Sequence, residues 1–219
     1  MATDAELKQD VLAELLWEQS VHAAHIAVVA RDGVVSLAGH VASYAEKRGA
    51  EAAASRVRGV RALAYEIDVR PPSNGELRDD KQLAAAIADR LRWNTSFPQD
   101  AVKVEVEKGW VTLSGTVTWR FQSEAGEAEI RHLTGVIGIS NLITVKPHPG
   151  GPGIGEDITE ALKLTWLWDP NRQTLWVTAK DGVVILSGTV ASLHDRQVAA
   201  SAAWAAPGTT SVENRLTVT

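Results

Sequence analysis

The 219-residue chain contains no cysteine, which excludes disulfide frameworks, thiol catalysis and thiolate metal sites. No stretch approaches the ~18 consecutive apolar residues of a membrane-spanning helix. The amino terminus, Met1 to Lys8, has no basic region followed by an apolar run, so no export leader is read there. As written, the sequence predicts a cytoplasmic protein; a chain from which a leader had been removed would read the same and be periplasmic. A basic segment is missing too. The formal charge of −5 is spread as 8 basic against 10 acidic residues over 1–70, 9 against 10 over 71–146 and 5 against 7 over 147–219. No part carries the electrostatic footprint that nucleic acid requires.

Catalytic signatures are equally scarce. The six histidines, His22, His25, His40, His132, His148 and His194, do not recur as a set, and none stands in a metal-type pairing with carboxylates. His22 and His25 come nearest to a two-ligand pair, and the plainer reading is an exposed loop. No serine occupies a nucleophile-elbow sequence. The run Gly151-Pro152-Gly153-Ile154-Gly155 lacks the feeding strand and the Lys-Ser/Thr of a phosphate loop, and reads as a linker. Neither enzyme activity nor a cofactor is expected.

What is present is a repeat. Gly33, Gly39 and Gly59 recur as Gly109, Gly115 and Gly135 and again as Gly182, Gly188 and Gly208, with spacings of 6 and 20 inside each set and offsets of 76 and 73 between sets. The unit to explain is therefore about 70 residues long. Proline and glycine punctuate the boundaries. Units at 1–70, 78–146 and 156–219 are joined by linkers at 71–77 and 147–155. With 45% apolar and 22% charged residues, the chain has enough apolar material for folded cores.

Each unit reads in the same order. Helix one carries Leu7, Val11 and Leu15, matched by Leu83, Ile87 and Leu91, four residues apart along one face. Thr3 with Glu6, Asp79 with Gln82 and Asp157 with Glu160 resemble capping boxes. A strand follows (Ile26, Val28, Ala30 and their counterparts), then a tight turn at Asp32-Gly33, Lys108-Gly109 or Asp181-Gly182. The return strand carries Val35, Leu37 and Val41, and its mid-strand glycines, Gly39, Gly115 and Gly188, predict close packing of a helix or a bulge. An alanine-rich second helix starts near Ser43 or Ser192, with Glu46 or Asp195 completing a box, and ends at a C-cap glycine. The last strand should pair in parallel with the second through a right-handed crossover. The prediction is an α+β chain of three tandem αββαβ units, each a three-stranded mixed sheet covered on one face by two helices.

These residues resemble a known family. Gly33-Val34-Val35-Ser36-Leu37-Ala38-Gly39, Gly109-Trp110-Val111-Thr112-Leu113-Ser114-Gly115 and Gly182-Val183-Val184-Ile185-Leu186-Ser187-Gly188 are similar to the signature of the BON domain, named for bacterial osmotically inducible and nodulation proteins. Gly135 to Val145 and Gly208 to Val218 resemble its closing strand. Tyr65 replaces the asparagine found at Asn141 and Asn214, and Thr209 replaces the valine after the glycine. The resemblance implies a role in osmotic or envelope stress and attachment to phospholipid surfaces.

Tryptophan is in excess, eight against two phenylalanines and two tyrosines. Trp17, Trp93 and Trp166 are equivalent under the repeat, and the simplest reading makes them core or rim residues sealing helix one against the sheet. Trp110, Trp119, Trp176, Val183 and Ile185 form the candidate interaction surface. Strand alternation turns Trp110, Trp176, Val183 and Ile185 away from the helices, and an uncovered apolar sheet face marks an interface. Its expected occupant is a neighbouring unit, another copy of the chain or another protein, or a bilayer. Two functions follow: a non-enzymatic protein that associates with phospholipid surfaces, or a soluble scaffold that assembles with itself or other proteins.

Overall fold

A computed structural model describes residues 3–71, 78–94, 101–146, 158–161, 175–206 and 208–219. The first unit comprises α1 (Asp4–Trp17), β1 (Ile26–Arg31), β2 (Val34–Val41), α2 (Tyr44–Arg56) and β3 (Ala62–Val69). The second comprises α3 (Asp80–Trp93), β4 (Val102–Glu107), β5 (Trp110–Val117), α4 (Arg120–Ile130) and β6 (Gly138–Val145). In the third, the described part of α5 is 158–161, followed by β7 (Leu175–Lys180), β8 (Val183–Val190), α6 (Leu193–Ala205) and β9 (Ser211–Val218). Each sheet runs in sequence order, with the first two strands antiparallel and the last two parallel. This is the predicted α+β architecture three times over.

Local chemistry accounts for the elements. Thr3 and Glu6 close a capping box on α1, and Asp79 and Gln82 do so on α3; Asp157 lies outside the described residues. Asp32 and Gly33 both take positive φ, 50° and 77°, the signature of a type I′ hairpin turn. A carboxylate from helix one holds that turn: Asp4 accepts the Asp32 N–H at 2.9 Å, and Asp80 accepts from Lys108 and Gly109. The core of each unit lies between its sheet and its helices. Val35, Leu37, Val111, Leu113, Val184 and Leu186 of the central strands are fully buried there.

Three expectations need correction. Gly39 does not make room for a helix. It sits at φ 143°, and a Cβ there would collide with the backbone carbonyl of His25, just before β1; Gly115 meets the Ala101 carbonyl in the same way. Gly59, Gly135 and Gly208 are not C-caps, because the helices end earlier, at cap residues Val57, Arg131 and Ala206. Finally, the Ser43 and Ser192 boxes are half made. Each serine accepts the N–H of Glu46 or Asp195 at 3.1 Å, but the Glu46 carboxylate turns to Ala42 and His22 instead.

The asparagines of the closing strands are clamps. Asn141 donates to the Ser123 carbonyl and Asn214 to the Arg196 carbonyl, each at 2.9 Å, fastening the strand to helix two. In the first unit Tyr65 replaces the asparagine, and Lys47, which is equivalent to Ser123 and Arg196, reaches the Ile67 carbonyl at 2.9 Å. The departure is thus compensated on the facing helix.

The units meet through their second helices. Tyr44, the first residue of α2, and Val69, the last of β3, pack with the core of the second unit. At the equivalent position of α4, Arg120 lies 5.4 Å from the ring centroid of Trp204 on α6. At that same position of α6, Leu193 packs on the core of the first unit. Each junction joins the start of one second helix to the next unit, and the third returns to the first. This is a heterologous contact that closes with three copies, so the chain forms a pseudo-threefold ring with α2, α4 and α6 around its axis.

Two variants test this account. Gly39→Ala should cost about 1–3 kcal/mol from backbone conformation alone, and overlap with His25 adds to it. Asn214→Ala should cost about 1–2 kcal/mol, the loss of a partly buried amide with its hydrogen bonds. Both should lower the urea midpoint in equilibrium unfolding, and a midpoint equal to that of the parent chain would contradict the assigned role.

Candidate functional site

Of the residues predicted to form an interaction surface, Trp110, Trp176, Val183 and Ile185 lie on outer sheet faces. Trp110 is 48% exposed, Trp176 58% and Val183 40%, while Ile185 is half-buried. Trp110 does not stand free: its ring lies over Gly138, and its indole N–H donates to Ser140 at 2.9 Å. Beside it is a shallow depression of about 670 Å³ lined by Glu105, Glu107, Lys108 and Thr112. Trp119 does not join this surface. It is the N-cap residue of α4 and lies at the junction with the third unit. The first unit also exposes apolar side chains outward, at Val29 and Val34. Among the described residues no neighbouring unit covers these faces, because the ring is built through helices, which leaves the sheets pointing away from the axis.

The tryptophans at the end of helix one overturn the expected core or rim role. Trp17 and Trp93 are each 84% exposed, and Leu16 beside Trp17 is 75% exposed; Trp166 lies outside the described residues. The reason is helical geometry. Leu7, Val11 and Leu15 are buried, as are Leu83, Ile87 and Leu91. A residue two positions beyond the last of them projects about 200° around the helix, into solvent. That spacing was available in the sequence and is the signal that identifies these residues. Arg56 fixes the end of α1 by bonding Glu14 at 2.7 Å and Glu18 at 2.9 Å. In a ring closed by three copies, equivalent positions share one level about the axis, so Trp17 and Trp93 stand at the same height.

Around the axis, Arg48, Arg120, Arg131, Glu124, Glu127 and Trp204 line an open funnel of about 390 Å³. Two of its three guanidinium groups are paired with carboxylates. Arg48 binds Glu51 at 2.6 Å and approaches Glu127 at 3.6 Å, and Arg120 binds Glu124 at 3.0 Å.

The two-histidine pairing is not assembled. The His22 ring faces Glu46 at 3.0 Å, whereas His25 stacks on His40 with centroids 4.8 Å apart. Among the described residues no three His, Asp or Glu side chains group as metal ligands, and no helix is long and apolar enough to cross a membrane.

Tandem αββαβ units with clamped closing strands define the class, and sequence comparison gives it a name. The BON domain family matches residues 3–71, 79–147 and 154–219, so the chain belongs to that family. It is 30% identical over 146 residues to osmotically-inducible protein Y of Escherichia coli (strain K12), covering 65% of this chain and 73% of that protein. Two solved structures of CdsD, a structural protein of the type III secretion system of Chlamydia trachomatis, align at 13% identity. Their TM-scores are 0.27, covering 96% of this chain and 91% of that one, and 0.26, covering both fully.

The buried Glu46 links this region to pH. Burial pushes its carboxyl up, but the N–H groups of His22 and Ala42 and the His22 ring outweigh that and hold it below the ordinary glutamate range. A carboxyl with a lowered folded value stabilises the fold above its unfolded value, about 4.3, and that contribution is lost as pH falls through the folded value. The urea midpoint should therefore decline below about pH 4.3, and less steeply in Glu46→Gln. Parallel pH profiles for the two proteins would refute the role.

Proposed function

We propose that the chain is a non-enzymatic binding protein of the osmotic stress response that docks on phospholipid surfaces through the tips of its first helices. The observation that carries this reading is the exposure of Trp17 and Trp93, 84% each, at equivalent positions of the repeat. Tryptophan favours the headgroup region of a bilayer, and two or more anchors at one level engage a plane together. Similarity to osmotically-inducible protein Y supports the stress context. The net charge of −5 provides no general attraction to anionic lipid, so insertion of the indoles is the driving term and lipid charge is secondary.

The second reading is a scaffold whose outer sheet faces, with Trp110, Trp176, Val183 and Ile185, bind another protein or a second copy. Their uncovered state favours it.

Vesicle co-sedimentation separates the two. The chain should pellet similarly with zwitterionic phosphatidylcholine vesicles and with vesicles containing phosphatidylglycerol. Trp17→Ala and Trp93→Ala should each weaken binding by roughly tenfold, which corresponds to about 1.4 kcal/mol of lost apolar burial. Trp110→Ala and Trp176→Ala should leave it unchanged. No pelleting with either vesicle, together with concentration-dependent growth in light scattering that Trp176→Ala abolishes, would replace the lipid reading with the scaffold.

A further inference from the structure

We infer that the ring opens at one place, the seam between the second and third units, while the other two junctions hold. The three junctions are built at equivalent positions from unlike side chains. Tyr44 is 8% exposed in the core of the second unit, and Leu193 packs on the core of the first. The corresponding residue at the seam is Arg120, 39% exposed along its side chain and divided between the Trp204 ring and the Glu124 carboxylate. A solvent-facing cation–π contact contributes less than burial of a tyrosine or leucine side chain.

A crevice of about 10 Å³, room for one water, runs along the seam between Trp119, Arg120, Val145 and Lys146 on one side and Trp204 and Thr209 on the other. Opening there leaves the first unit in the middle, holding the second through Tyr44 and the third through Leu193. The opened chain is an arc ordered second, first, third, in which the covered parts of the Trp204 and Trp119 rings become newly exposed.

Because the chain has no cysteine, spin labels can be placed in pairs on the full-length protein. Lys146→Cys with Ala205→Cys spans the seam, and Arg70→Cys with His132→Cys spans the equivalent place between the first and second units. Double electron–electron resonance should show a second, longer population for the seam pair and one narrow population for the other pair. Arg120→Leu, which makes the seam apolar like its counterparts, should abolish the longer population. A single narrow distance at the seam, or a long population that persists in Arg120→Leu, would overturn the proposal.

Discussion

Two helices can cover only one face of a three-stranded sheet, and the rest of this molecule follows from that limit. The covered face holds the cores, centred on Val35 and Leu37 and their counterparts. The bare face remains available, and the backs of the helices are the surfaces on which units can meet. A unit of about 70 residues buries a modest share of its surface alone. Contacts among α2, α4 and α6 extend that burial without using the sheets.

The junctions place different demands on one position. Tyr44, Arg120 and Leu193 occupy the first turn of the second helices, immediately after the N-cap. Geometry there requires a side chain long enough to reach the next unit, and it does not require one chemistry. The result is a ring with symmetric backbone relations and asymmetric energetics. The axial funnel shows the same division, with its guanidinium groups matched mainly by carboxylates of the first two units.

The fold was legible because its signals are local. Positive φ at the turn glycines, period-two strands and a four-residue stripe on helix one each act within a few residues. The outward set of Trp17 and Trp93 was legible as well, from their offset to Leu15 and Leu91. The function of Gly39 was not, because the carbonyl it avoids belongs to His25, just ahead of the strand across the hairpin. The ring was hidden for a related reason. Its contact residues share a position but no chemical type, so neither apolar pattern nor charge marks them. Trp119 shows the cost: it was grouped with the sheet-face tryptophans, whereas helix α4 begins one residue later and carries it to a junction.

Head-to-tail closure also fixes copy number. Each unit offers one donor end and one acceptor end, and three units use all of them, leaving none spare. A tandem duplication that added a fourth unit would either widen the turn at every contact or leave a unit outside the circle. Loss of one unit would strand two complementary ends, which another molecule could then satisfy. Among the described units, three is the count at which this geometry closes.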